Sequence, residues 1–420
     1  MRNTGRVKKA TWIGWVAVVG LTLGLREGQE KTAAPEVVHV IIQAKDSTTA
    51  GGFAKTVGAT ITHELGIINA VGVQASPAQV TELGKLAGAR VYRNDSVRLA
   101  GLSGFSQNTF HPTQIGADRM HQNDRKGQGI TVAVLDTGAQ MKNTAGSSDE
   151  KVVVSYDAIA DHYVFPDQNG GFNDDNGHGT HVASVALSDV VTPEGKFNGV
   201  APRAALAIVK AFDANGRGTY ADVIRGIDWV VAHAAEHNIR VLNCSFSATP
   251  QSHYWDDPIN QAVMRAWQSG IVVVASAGNM GPGPMTVGVP GNVPYVITVG
   301  AYTDSYTPFN YSDDVLTSFS ATGPTYEGFV KPDVLAPGGH VLGMMRFSST
   351  IAVQHPEFHA GKTADVPYFQ MSGTSQAAAV VSGAVALLME ARPQLSPDEV
   401  KCALMATARP FPQFDGRLDL

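Results

Sequence analysis

Five near-continuous apolar runs constrain this chain more than any other feature. They are ITVAVLD (Ile130 to Asp136), ALAIVKAF (Ala205 to Phe212), RVLNCSF (Arg240 to Phe246), IVVVASAG (Ile271 to Gly278) and YVITVGA (Tyr295 to Ala301). A strand with one wet face alternates apolar and polar residues. A run without alternation needs burial on both faces, as in a parallel sheet covered by helices. Amphipathic helical segments separate these runs. Thr219 opens one whose Val223, Ile224, Ile227, Val230 and Ala234 share a face. Asp257 and Pro258 open another, with Ile259, Ala262, Val263, Ala266 and Trp267 inward and Gly270 as its stop. The alternation predicts right-handed crossovers and an α/β fold, a mostly parallel central sheet with helices on both faces. Ligands of such sheets gather at the carboxyl ends of the strands.

The segment before this region has its own pattern. From about residue 35 to 100, VVHVIIQ, a small-residue helix, ATITHEL, IINAVGVQ, a second helix and RVYRNDSVRL follow a β-α-β-β-α-β order, predicting a small α+β ferredoxin-like domain. Ser76, Pro77 and Gln79 supply the second helix with a cap, a first-turn proline and a capping-box partner. Residues 101–109, including GLSGFSQN, read as an exposed linker open to proteolysis, and residues 110–420 as the large domain. At the start, Arg2, Arg6, Lys8 and Lys9 precede an uncharged run to Leu25, the layout of a signal peptide over residues 1–25. Export and secretion are the expectation, with an uncleaved membrane anchor as the alternative. Net charge is only −6 over 420 residues and no basic stretch recurs further on, which removes the electrostatic footprint of a nucleic-acid binder. Cys244 and Cys402 are too few for a disulfide framework and are expected to be buried free thiols, with a bridge between them left open.

Three polar groups stand where strands end or helices begin. Asp136 closes VAVLDTG, His178 opens NGHGTHVAS between two glycines, and Ser375 lies in SGTSQAAAV ahead of a long apolar helix. A buried aspartate demands a partner. A serine at a helix N-terminus sits among aimed backbone N–H groups. Serine needs a base to attack at neutral pH; an imidazole supplies it, and a carboxylate fixes the imidazole's tautomer. Asp136, His178 and Ser375 fill these roles, in the chain order aspartate, histidine, serine. Together VAVLDTG, NGHGTHVAS, SAGN and GTSQA make residues from about 110 to 410 resemble the subtilisin-like serine proteases, or subtilases.

The resemblance implies a serine endopeptidase working through an acyl-enzyme on protein or peptide substrates, with no cofactor for the chemistry. It implies that Asn279 aims its amide at the developing oxyanion beside the backbone N–H of Ser375. Gly216, Arg217 and Gly218 would form one edge for an extended substrate and Ser245, Phe246 and Ser247 the other, with Tyr220 at the rim of a more distant pocket. Gly288 takes the place of a pocket-floor glycine and Met280 a position acidic in some relatives. The expected preference is for large apolar side chains at P1, the residue whose carbonyl is attacked. The N-terminal module resembles the propeptides that subtilases use as folding aids and intramolecular inhibitors, so residues 101–109 become the expected self-cleavage zone of a zymogen.

Other readings of the same residues fare worse. His178 and His181 at three-residue spacing suggest a metal, but H-E-x-x-H is absent; GNMGPG is followed by prolines where a dinucleotide fold needs a helix. His181 is expected to pack structurally. Asp174 and Asp175 are read as a solvated loop, because DDNGHG does not fit a calcium loop. The segment at a common subtilase calcium site is replaced by SDVVTPEGKFNG, so structural calcium stays unassigned. Gln376 and Ala379 stand where many subtilases carry methionine and proline, which raises the alternative of a binding protein with impaired catalysis. Residues 343–369 form an insert of unassigned role, and FDGRLDL at the end reads as a cut terminus.

Overall fold

The computed structural model describes residues 37–65, 69–93, 109–140, 151–166, 173–192, 194–360 and 368–411. The expected signal segment, nearly all of the linker and FDGRLDL lie outside these residues. The chain divides into two compact units between Leu99 and Ala100.

In the first unit the elements are β1 (Val38–Gln43), α1 (Ser47–Thr56), β2 (Thr60–Leu65), β3 (Ala70–Ala75), α2 (Pro77–Leu83) and β4 (Arg90–Arg93). The strands pair antiparallel in the order β2-β3-β1-β4. Asp46 caps α1 by accepting from Thr49 N, and Ser76 and Gln79 close a capping box on α2. Val40, Ile42, Ala50, Ala54, Val71, Val73 and Leu83 form a core of this unit alone.

The described part of the second unit starts at Thr109, which is buried and donates its hydroxyl to the carbonyl of Asn198 at 2.9 Å, so this residue belongs to the folded unit and not to an exposed linker. Short helices α3 (His111–Gln114) and α4 (Ala117–Gln122) lead to β5 (Thr131–Asp136), β6 (Val152–Asp157), β7 (His162–Tyr163), α5 (His178–Leu187), β8 (Ala205–Lys210), α6 (Tyr220–His233) and β9 (Ile239–Cys244). Then come α7 (Pro258–Gln268), β10 (Val272–Ser276), β11 (Ile297–Thr303), β12 (Val315–Leu316), β13 (Val334–Pro337), β14 (Val341–Met344), α8 (Thr350–Gln354), β15 (His359–Ala360), β16 (Tyr368–Met371), α9 (Thr374–Ala391) and α10 (Pro397–Thr407).

The main sheet runs β12-β11-β10-β9-β5-β8-β6-β7, with β13 also on β11. Its interior pairs are parallel and only β7 and β12 join antiparallel. Every residue of β5 and β10 is buried, as their unbroken apolar sequences require. Helices α5 and α9 pack together on this sheet, as do α6 and α7. The chain leaves β5 toward β8 and β6 and returns to its other side with β9, which makes the carboxyl end of β5 the switch point of the sheet, and Asp136 stands there. Helix α9 is buried nearly all round, from Thr374 to Met389, so it is apolar on every face because it runs through the core. The β14-β16-β15 sheet is built from the insert between the main sheet and α9. No disulfide joins the cysteines: Cys244 is a buried free thiol, whereas Cys402 is exposed on α10, against the expectation that both would be buried.

Candidate active site

Asp136 and His178 meet because β5 ends beside the start of α5. His178 Nδ1–H donates to Asp136 Oδ1 at 2.7 Å, with Oδ2 at 3.0 Å. The approach needs glycine at two positions. A Cβ on Gly179 would press on the Gly138 carbonyl and on Asp136, and Gly177 holds φ at 101° immediately before the helix. Burial disfavours the imidazolium, yet the charge and hydrogen bond of Asp136, with the charge of Asp174, outweigh it and hold His178 above its ordinary value of 6.5. With Nδ1 committed to Asp136, the neutral ring presents Nε2 as its free basic atom.

Asp174 overturns its reading as a solvated loop residue. It is buried, and its carboxylate accepts from Gly177 N, Thr180 N and Thr137 Oγ1, each at 2.8 Å, and from the Thr180 hydroxyl. Thr137 Oγ1 in turn accepts from Gly179 N at 2.9 Å. The first turn of α5, which has no side-chain cap of its own, is therefore satisfied by Asp174 and Thr137 together. Buried Lys210, at the end of β8, donates to the carbonyls of Thr137 at 2.7 Å and Asn173 at 3.0 Å, tying both flanks of this arrangement.

Ser375 is the second residue of α9. Its Oγ donates to the carbonyl of Ser245 at 2.9 Å, while Ser245 Oγ donates back to the carbonyl of Ser375 at 2.9 Å. No hydrogen bond links Ser375 to His178 among the described residues; the nucleophile candidate is engaged with the cleft wall, one χ1 rotation from another staggered position. Catalytic hydrogen bonds of unliganded enzymes commonly tighten only with substrate. Asn243 Nδ2 donates to Ser245 Oγ at 2.8 Å and Ser382 Oγ to Asn243 Oδ1 at 2.9 Å, a buried polar chain fixing this wall from within α9. Asn279 Oδ1 accepts from the backbone N–H of Thr374 at 3.0 Å and from its hydroxyl at 2.9 Å. Among the described residues the Asn279 amide N–H groups have no hydrogen-bond partner, beside the α9 N-terminus.

Asp136, His178, Gly216, Arg217, Ser245, Phe246 and Ser247 line one cleft of about 550 Å³. Gly218, Tyr220, Met280 and Gly288, the other expected substrate residues, are not among its lining residues, and neither are Ser375 and Asn279. Tyr220 opens α6 and donates its hydroxyl to Asp257 at 3.0 Å. A Cβ on Gly218 would strike Phe212, and Met280 is 77% exposed. A Cβ on Gly288 would collide with Ser247 Oγ, so the hydroxyl of Ser247 occupies space above the expected pocket floor. His181 is buried, donating from Nε2 to the Phe369 carbonyl at 3.0 Å and accepting from Gln376 Nε2 at 3.4 Å. Gln376, the residue after the nucleophile candidate, thus serves His181.

Thr137, Asp174, Lys210, Asn243 and Ser382 were not singled out as site residues from sequence. For Lys210 and Asn243 a signal existed: each interrupts an apolar run, and a buried polar side chain must find partners.

The sequence profile of the subtilase family (Peptidase S8) matches residues 127–418. The chain is 37% identical over 280 residues to the serine protease AprX of Bacillus subtilis (strain 168), a match covering 66% of this chain and 60% of that protein. It is 33% identical over 298 residues to subtilisin DY of Bacillus licheniformis, covering 70% of this chain and 89% of the relative. Among solved structures, Sphericase superposes with a TM-score of 0.54 at 25% identity, over 70% of this chain and 89% of that one.

Proposed function

The chain belongs to the subtilase family of serine proteases, and we propose that it is a secreted endopeptidase, made as a zymogen, that uses Ser375 as nucleophile, His178 as general base and Asp136 as its orienting carboxylate. The observation that carries this reading is the 2.7 Å hydrogen bond from His178 Nδ1 to Asp136, in a cleft whose lining residue Ser245 accepts the hydrogen bond of Ser375 Oγ. In the proposed reaction, Ser375 Oγ turns from Ser245 to His178 Nε2, gives up its proton there and attacks the substrate carbonyl. The oxyanion is received by Asn279 Nδ2 and the backbone N–H of Ser375; losing one such donor typically costs about 10²–10³ in turnover. His178 then returns the proton to the leaving amine, and water repeats the sequence to release the acyl group. Acyl transfer of this kind needs no metal or cofactor.

The substrate is proposed to lie extended between Gly216–Gly218 and Ser245–Ser247, each contributing backbone hydrogen bonds. Large apolar P1 side chains are proposed to enter over Gly288 once Ser247 Oγ swings aside, with Met280 leaving that pocket without a fixed charge. The first unit is proposed to act as propeptide, with the linker at 101–109 as the zone of self-cleavage.

The test compares the full chain with its Ser375→Ala form. Shortening of the first alone, together with labelling of Ser375 by a serine-directed phosphonate, is the expected result; two full-length, unlabelled proteins would sink the enzyme reading. That outcome is what the alternative, a subtilase-fold binding protein without turnover, requires, and the Ser375–Ser245 hydrogen bond is the observation in its favour.

A further inference from the structure

The insert between β14 and β16 does not lie idle on the surface. Thr350 N donates to the Asp175 carbonyl at 2.8 Å and Ile351 N to the Asn176 carbonyl at 3.1 Å, so the first turn of α8 is docked on the loop that leads into His178. The hydroxyl of Thr350 adds a third bond to Asp175 at 3.1 Å. A second contact fixes the same approach: a Cβ on Gly177 would lie 2.8 Å from Ser349 Cβ and 2.9 Å from Met345 Cγ, so only glycine there lets the insert close on this turn. Behind α8, Ala352 packs with Met345 and Phe369, and Ile351 rests against that cluster. The helix is thus held from front and back, and Ile351 and Gln354 face the cleft together with His178, Asn176 and Phe212. Asn176 Nδ2 donates to the Ala214 carbonyl at 3.0 Å, which links the His178 loop to the segment carrying Gly216.

Resting on the proposed endopeptidase function, we propose that α8 is a specificity wall: Ile351 and Gln354 complete the subsite for P2, the substrate residue just before the scissile one, and select medium-sized apolar side chains there. Side chains of an extended peptide alternate in direction. If P1 points toward Gly288, P2 points the opposite way, to the side of His178, where Phe212 and Ile351 both line the cleft. Two apolar walls bridged by Asn176 favour an aliphatic side chain over glycine, and Gln354 at the mouth sets how charge is received.

The experiment uses the self-processed protein and a peptide series differing only at P2, comparing wild type with Ile351→Ala and Gln354→Glu. Wild type is expected to favour P2 leucine or valine over glycine by about tenfold or more in kcat/KM, and Ile351→Ala to cut that ratio by about tenfold while the P1 preference is retained. Gln354 is exposed, so its replacement tests the wall without disturbing the core. Gln354→Glu is expected to raise cleavage at P2 lysine relative to leucine several-fold. Identical P2 profiles in all three proteins, with Ser375 labelled and peptides cleaved, overturn the wall and leave the endopeptidase standing. A wild type that neither cleaves nor labels overturns both.

Discussion

His178 and His181 lie one turn apart on α5, in opposite surroundings. His178 faces the cleft with a carboxylate on Nδ1 and, among the described residues, no partner on Nε2, and is held above its ordinary pKa. His181 faces the core, with the Phe369 carbonyl on one nitrogen and Gln376 on the other; burial pushes it down to about 3, so it stays neutral. Residue type and helix are the same. What differs is which side of α5 each occupies: the β5 end with its charge, or the β16 and α9 side with neutral dipoles. An imidazole becomes a base because a carboxylate reaches it and solvent can approach it, and becomes a packing element where only neutral groups do.

The largest expected effect separates the two rings chemically. His178→Ala should lower kcat by on the order of 10⁶, the size known for losing this group in a subtilisin. His181→Gln should leave most of kcat in place and cost about 1–3 kcal/mol of stability through its buried hydrogen bonds. Single-turnover kinetics and urea unfolding on the two variants check this; equal losses of turnover would erase the distinction.

Asp174 supports the cleft side, so Asp174→Ala, which strands the N–H groups of Gly177 and Thr180, should destabilise the second unit by about 2–4 kcal/mol. A melting temperature unchanged from wild type would show that the α5 turn does not depend on it.

Acid should reveal the core side. A buried histidine with a lowered pKa takes up its proton in the unfolded chain first, so stability falls as pH drops below about 6.5. His181, at about 3, contributes at most about 1.4 kcal/mol per pH unit down to that value, and buried His111, which burial lowers to about 4, adds to it. His178 has the opposite sign: its stabilisation is complete below the ordinary value and is lost as pH rises through its raised one. Urea unfolding of Ser375→Ala at pH 7, 6 and 5 should therefore show declining stability, and a flat profile would contradict the neutral, buried state of His181.

On the cleft side, the proposed general base must be neutral to act, so the acid limb of kcat/KM should have its midpoint above 6.5. Asp174→Asn, which removes a charge that raises His178, should move that midpoint down by a few tenths of a pH unit; an upward shift would reverse the assigned cause. The smallest effect concerns oxidation. With Gln376 beside Ser375 in place of a thioether, dilute peroxide should oxidise exposed Met280 first and inactivate slowly. Rapid loss would point to Met371, whose sulfur lies 4.0 Å from Gln376 Nε2.

Much of this protein is written in local sequence. Unalternated apolar runs required a parallel sheet buried on both faces, and the caps at Ser76, Thr219 and Asp257 marked helix starts, because period and capping are set by residues within a few positions of one another. The motifs around Asp136, His178 and Ser375 likewise singled out the groups proposed to perform acyl transfer. Only the tertiary structure decided what depends on distant segments meeting. It turned Asp174 from a solvated loop residue into a buried acceptor of four hydrogen bonds, aimed Ser375 Oγ at Ser245, gave Gln376 to His181 and brought Ile351 to the cleft beside His178. Hydrogen bonds reach about 3 Å and are indifferent to sequence separation. Which partner a polar side chain finds is therefore settled by how the sheet order and the insert place the chain in space.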